Sequence, residues 1–244
     1  MNNEYKIEYI NISLFGNQYF IPSYAKDRPA AATMINGYYY EKDTHRFVHH
    51  ILRETGKSMV HGGTFFGDMI PSFASECKGT LYAFEPVLEN YVLARKCVQQ
   101  NNLTNVILFN AAMSDKTGYA YMQTYDNGHM GGSSQITEDD SKKTQLVNTL
   151  CLDDINMNEL SIVHLDLENH EPWAIKGGIE VINNDTPIVI MEDYHNKAGD
   201  VLQTYGYEYI DKLQFGPHNW LNIWSTNKYK DLCNQTLNIL NKPV

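Results

Sequence analysis

From residue 43 to residue 225, short apolar runs alternate with stretches of helical periodicity, and this alternation constrains the fold more than any other feature. Asp43 or Thr44 can cap a first helix, in which Phe47, Val48, Ile51 and Leu52 recur at helical spacing before Gly56 stops it. Strands are predicted at Ser58–Gly62, Thr80–Glu85, Asn105–Asn110, Ile162–Leu167 and Ile188–Glu192. Between them fall helices at Asp68–Cys77 and Leu88–Asn101, one carrying Ile175, Ile179 and Ile182, and one carrying Val201, Leu202 and Tyr205. Gly118–Gln123 and Leu146–Leu150 read as a strand insertion around a polar, Gly-rich loop at 126–145, and strands at Tyr207–Lys212 and Trp220–Ser225 close the chain. Such alternation predicts an α/β fold: a mostly parallel seven-stranded sheet with helices on both faces and an antiparallel C-terminal strand.

Residues 1–40 read differently. YINISLFGNQYFIP alternates around Gly16-Asn17, which predicts a hairpin, and residues 24–38 look loop-like. The expected organisation is an appendage at 1–40 that covers a main domain at 41–244. The 244 residues fit one α/β domain, since such domains run to roughly 250 residues.

Charge and cysteine content narrow the functional classes. With 19 basic and 29 acidic residues the formal net charge is −10, a poor footprint for a nucleic-acid binder. The four cysteines (Cys77, Cys97, Cys151, Cys233) are scattered without CxxC or Cys/His metal spacing, so they predict free thiols and no zinc site. The N-terminal run has no basic start followed by an apolar segment, and no stretch approaches the ~20 apolar residues of a membrane span. The expectation is a cytoplasmic protein without a membrane partner.

Open α/β sheets bind ligands beyond the carboxyl ends of their strands, so the residues just after each strand carry the chemistry. After the first strand comes His61-Gly62-Gly63-Thr64-Phe65-Phe66-Gly67-Asp68. Its glycines allow a tight turn and close approach to a ligand, though many strand-to-helix turns hold glycines for steric reasons alone. After the second strand stands Glu85, followed by Pro86. An acid about 20 residues past a Gly turn is placed to accept hydrogen bonds from both ribose hydroxyls of a nucleoside, and the proline offers an apolar surface to its base.

The segments VHGGTFFGD, LYAFEPVLENYVLARKCVQQNNLTNVILFNAAMSD, LDLENHEPWAIKGG and PIVIMED, in that order, resemble the FkbM-type methyltransferases. That family shows a V-D-x-G-A-N-x-G turn, an F-E-P strand end, an N-A-A-L-S-D-like third strand and a K-x-D-x-E-G-x-E segment. The resemblance spans roughly residues 38–225, and the combination of segments is far more specific than any one of them. It implies a Rossmann-like class I fold that uses S-adenosyl-L-methionine. Carried over by position, His61, Gly62, Gly63 and Gly67 fall in the cofactor turn, Gly63 and Gly67 matching its glycines. Glu85 and Pro86 fall at the ribose, and Asn110 and Ala111 near the adenine. Asp166, Glu168 and Glu171 match the later acids, and Glu192 the acid ending the next strand. This chain departs from the pattern at His61 (family Asp), Phe65 (family Asn), His164 (family Lys) and Asn169 (family Gly).

A sulfonium methyl is already electrophilic, so such an enzyme chiefly aligns an acceptor with it and helps remove the acceptor's proton. Asp166 and His170 are the expected groups beside the acceptor, with Glu168 and Glu192 orienting. His164, Asp166 and Glu168 alternate, and side chains two apart on a strand share a face. The same cluster has two other readings, a divalent-cation site or braces for the strand ends. His195 is placed near the cleft rim, and His49 and His50 are read as solvated or satisfied helix residues. The favoured function is O-methylation of a small-molecule or sugar hydroxyl. The alternative is a catalytically degenerate descendant serving as an interaction module, to which His61 and Phe65 point. A nicotinamide oxidoreductase ranks below both, because the acid-rich later segment has no place in it.

Overall fold

The computed structural model describes residues 6–123 and 135–242. Part of the expected 126–145 loop, residues 126–134, therefore lies outside the described residues, as do residues 1–5 of the expected appendage. The N-terminal part holds β1 (Tyr9–Leu14), β2 (Asn17–Pro22) and α1 (Pro29–Ile35). The central order is α2 (Lys42–Thr55), β3 (Ser58–Gly62), α3 (Ile70–Glu76), β4 (Leu81–Phe84), α4 (Leu88–Gln100) and β5 (Val106–Phe109). An insertion of β6 (Ala112–Met113), β7 (Gly118–Gln123), β8 (Gln135–Ile136) and β9 (Gln145–Leu150) follows. The chain then runs through β10 (Leu160–Leu165), α5 (Glu171–Lys176), α6 (Ile179–Asp185), β11 (Ile188–Met191), α7 (Lys197–Gln203), β12 (Glu208–Gln214), β13 (Trp220–Ser225) and α8 (Lys230–Leu240).

The seven-stranded sheet has the order β12-β13-β11-β10-β3-β4-β5. Strands β11, β10, β3, β4 and β5 are parallel neighbours, while β13 runs antiparallel to both β11 and β12. The expected sheet is thus the one observed. Strand order reverses beside β3, which puts a crevice at the carboxyl ends of β3 and β10.

Alternation along the central strands feeds two cores. Met59, Leu81, Ile162, Ile188 and Ile190 pack with α2, α3 and α8 on one face. Val60, Tyr82, Val163, Val189 and Trp224 pack with α5, α6 and α7 on the other. Each fully buried aliphatic side chain stabilises by roughly 1.5–3 kcal/mol. A sheet covered on both faces needs strands that are apolar on both sides, and these are.

The hairpin forms around Gly16 (φ 82°), with Ile10 opposite Ile21 and Ile12 opposite Tyr19. Tyr19, Ile21 and Met34 pack on Leu93 and Cys97 of α4. Two helices depart from the sequence expectation. Pro29–Ile35 is helical rather than loop, with Pro29 in its first turn, where a missing N–H costs nothing. The chain closes not on a strand but on α8, whose Cys233 and Leu237 reach the core beside α2. Helix α2 is also entered differently. Its N-cap is Glu41, in the left-handed region at φ 54°, and Thr44 Oγ1 donates back to Glu41 Oε2 at 3.0 Å. Its end is as expected, with Gly56 at φ 65° donating to Leu52 O. No helix among the described residues is long and apolar enough to cross a membrane.

Candidate functional site

A cavity of about 420 Å³ opens at the carboxyl ends of β3, β4 and β10, within the roughly 300–1,000 Å³ range of small-molecule sites. Of the residues singled out from the sequence, His61, Gly63, Glu85, Pro86, Ala111, Asp166, Glu168, His170 and Glu192 all line it. They come from five strand ends that parallel pairing sets side by side: His61 is in register with His164 and with Ala83, Phe84 with Phe109, and Leu165 with Met191.

Three other expected cofactor residues stand behind the wall. Gly62 is enclosed, and a Cβ there would meet Met113 Sδ at 2.6 Å. Gly67 lies against α4, where a Cβ would sit 3.2 Å from Ala94 Cα. Asn110 turns its amide onto the backbone, donating to Glu85 O at 2.9 Å and Pro86 O at 3.1 Å, so it braces the β4 exit. His195 is exposed and is not part of the cavity lining. His49 and His50 are satisfied helix residues, held by Ser72 and Thr236. Gly63 (φ 81°) has a steric cause: a Cβ there would lie 1.9 Å from Asp166 O. The turn after β3 and the exit of β10 are therefore packed backbone to backbone, and only glycine fits.

Glu85 is buried at one end of the cavity. Its Oε1 accepts the Val87 N–H at 2.8 Å, and burial pushes its carboxyl up to about 8 despite help from the Val87 and Phe65 N–H groups. Pro86, Ala111, Met113, Met122 and Ile136 give this end an apolar wall.

The other end is acidic. Burial, then the neighbouring Glu192 and Glu168, hold the Asp166 carboxyl well above its ordinary range. Burial also raises Glu168 and Asp68 to about 7 and Glu41 to about 8. Glu41 and Asp68 were not singled out from the sequence. Asp68 is a buried turn residue and Glu41 a left-handed cap, and neither role has a residue pattern of its own. Glu192 accepts from the Tyr194 hydroxyl. The expected alternation of His164, Asp166 and Glu168 on one face fails at its last member. Glu168 and Asn169 adopt left-handed conformations (φ 53° and 74°), so Glu168 reaches the cavity from a turn. Glu171 is a brace, its Oε1 accepting the Leu167 N–H at 2.7 Å. His170 caps α5, stacks on Trp173 (ring centroids 4.9 Å apart) and meets Ser114 Oγ through Nε2 at 3.0 Å, and burial lowers it to about 4. No group of three or more His, Cys, Asp or Glu among the described residues is arranged to hold a metal ion.

Between the two ends lie His61 and His164, both buried, with their Nδ1 atoms 2.9 Å apart. Burial lowers both, His164 to about 4 and His61 well below its ordinary range. Phe73 packs edge-on against both rings, and each Nε2 lacks a protein partner.

The methyltransferase FkbM domain model matches residues 61–215, more than half of the chain. No curated protein matches in sequence. Among solved structures, methyltransferase FkbM from Methylobacillus flagellatus KT is 16% identical with a TM-score of 0.50, over 69% of this chain and 42% of that one. The chain thus spans less than half the length of that relative. M. jannaschii TYW2 in complex with AdoMet is 13% identical with a TM-score of 0.48, over 91% of this chain and 86% of that one. A putative O-methyltransferase from Klebsiella pneumoniae is 13% identical with a TM-score of 0.45, over 76% and 80% of the two chains. Given the extent of the domain match, the chain belongs to the FkbM methyltransferase family.

Proposed function

We propose that this chain is an S-adenosylmethionine-dependent methyltransferase that methylates a hydroxyl of a small molecule or sugar. The observation that carries the reading is one continuous cavity joining a buried Glu85 at an apolar end to a buried Asp166 of raised proton affinity at the other. The residues fit the donor. Glu85 would hold the ribose hydroxyls, and the Pro86, Ala111 and Met113 wall would suit adenine. The acids at the far end suit a positive charge.

When bound, S-adenosylmethionine supplies a methyl already activated for attack by its sulfonium. The protein has two further tasks, to align the acceptor oxygen and to take its proton. Asp166 is the better base. Burial beside Glu168 and Glu192 raises its proton affinity, whereas His170 is lowered and already engaged by Ser114. Asp166 would take the proton that the acceptor hydroxyl gives up when it is methylated. Tyr194 orients Glu192 at the rim.

The test is transfer of a labelled methyl group to a panel of polyhydroxylated small molecules. Asp166→Asn is expected to slow transfer by ~10²–10⁴-fold while S-adenosylhomocysteine still binds, and His170→Ala by less than about tenfold. Wild-type turnover in Asp166→Asn contradicts the assignment.

A further inference from the structure

The cavity end away from Glu85 is lined by the carboxyls of Glu41, Asp68, Asp166, Glu168 and Glu192, and against them the lining sets one guanidinium, Arg28. Asp166 is enclosed in that wall, yet among the described residues no hydrogen-bond donor reaches its carboxyl, and none reaches that of Glu168. Enclosed acceptors without donors are unfavourable, so a ligand that donates to them gains affinity. A metal ion does not meet the need, because among the described residues no three such groups converge as a metal requires. The methyl donor meets only part of it, since its sulfonium, ammonium and carboxylate sum to a single positive charge. Two aromatic rings border the same acids. Burial, then the charges of Glu41, Asp166 and Glu192, raise the Tyr40 hydroxyl, and Tyr40 meets Phe215 edge-on at 5.7 Å in the cavity lining. Such rings attract organic cations.

We propose, resting on the methyl-transfer reading above, that the acceptor is a hydroxyl compound carrying a protonated amine, an amino alcohol or amino sugar, whose ammonium lies between Glu168 and Glu192 while its hydroxyl meets Asp166. An ammonium has three donors and no acceptor, and an ionised carboxylate only accepts, so the two match atom for atom. A neutral sugar needs donors as well as acceptors around it, and this end offers chiefly acceptors. Without a cation, burial and then the neighbouring Glu192 keep the Glu168 proton on up to about 7. An ammonium beside it removes that penalty and lets the carboxyl ionise. Glu192 is already oriented by the Tyr194 hydroxyl. Because the amine pairs with these two glutamates, Asp166 keeps the proton affinity that the transfer needs.

Matched acceptors test the charge without changing the protein. Labelled methyl transfer from S-adenosylmethionine is measured with 3-amino-1,2-propanediol, glucosamine and galactosamine, each beside its N-acetyl derivative, which keeps the hydroxyls and loses the charge. The free amines are expected to be O-methylated with a kcat/KM about tenfold or more above their acetylated partners, as for a hydrogen bond between charged groups. In Glu168→Gln/Glu192→Gln that preference is expected to fall to within about twofold, chiefly through a higher KM for the amines, and Glu168→Asp, which keeps the charge, is expected to retain most of it. Calorimetric binding of S-adenosylhomocysteine shows that each variant is folded. Equal turnover within the wild-type pairs, preference for the acetylated members, or turnover of none of them by protein that binds S-adenosylhomocysteine overturns the proposal and leaves the cofactor reading standing. A preference that survives in the double variant also overturns it. Absence of S-adenosylhomocysteine binding to the wild-type chain removes the cofactor reading and this proposal together.

Discussion

The two ends of the cavity solve the same problem, how to keep polar groups ready in a buried site, in different ways. At the β4 end a single carboxyl, Glu85, is held by backbone N–H groups, Val87 of its own turn and Phe65 of the β3 turn beside it, and apolar side chains surround it. At the β3–β10 end the polar groups have few protein partners and lean on one another: two neutral rings in contact, and acids that raise each other's proton affinity. The first arrangement is built mainly from backbone geometry, one donor being two residues along the chain and the other in the adjacent turn. The second exists only because parallel pairing brings distant segments into register. Local geometry tolerates change at a distance, whereas a cross-strand arrangement depends on every strand that builds it.

The sharpest way to break the second end while sparing the first is at Gly63. A Cβ at this position meets Asp166 O at 1.9 Å and demands a φ of 81°, so Gly63→Ala is expected to cost about 3 kcal/mol or more, read by chemical denaturation. Stability within about 1 kcal/mol of wild type would show that the β3 turn and the β10 exit are not locked together.

A smaller effect is expected from the coupling of the two rings. His61→Asp places a carboxylate against a neutral buried imidazole. Adding His164→Lys supplies the opposite charge, so the double variant is expected to be more stable than the sum of the two singles by about 1–3 kcal/mol. Simple additivity in that cycle would mean that the two positions act separately.

The smallest effect is the pH dependence of the ligand-free protein, which sharpens the contrast in charge. Glu85 and Glu41 hold protons up to about 8 when folded, against 4.5 when unfolded. The folded state then binds more protons, and these groups lower stability as pH rises from 4.5 to about 8. His164 and His170 titrate near 4 when folded, against 6.5 when unfolded, so they lower stability as pH falls from 6.5 to about 4. Melting temperature is therefore expected to drop by a few degrees between pH 6.5 and about 8, and saturating S-adenosylhomocysteine should offset part of that drop. A melting temperature that rises over this range would contradict the proton-holding acids.

The sheet was legible in the sequence because burial on both faces forces apolar runs such as Met59-Val60 and Ile188-Val189-Ile190, and strand-to-helix alternation leaves few topologies. Glu85 was legible for a similar reason, since a strand end followed by proline is a local signature. The final helix was not, because its inward face mixes Cys233 and Thr236 with Leu237 and dilutes the periodic signal. The PAAATMI helix was missed because it is short, although proline in its first turn was a usable cue. At the site, neither the left-handed Glu41 and Glu168 nor the inward Asp68 has a pattern of its own. The His61–His164 contact spans 103 residues and becomes visible only once β3 and β10 are paired. Asn110 and Gly67 show the reverse case, matching a ligand-site pattern while serving the backbone and a helix contact.

The central claim is that Glu85 anchors the adenosine of S-adenosylmethionine. Its most direct test is calorimetric titration of S-adenosylhomocysteine into the wild-type protein and Glu85→Ala. The account predicts micromolar binding to wild type and a loss of about 100-fold in the variant, as for two lost ribose hydrogen bonds. Equal affinity for the two proteins, or no binding to the folded wild-type chain, would contradict it.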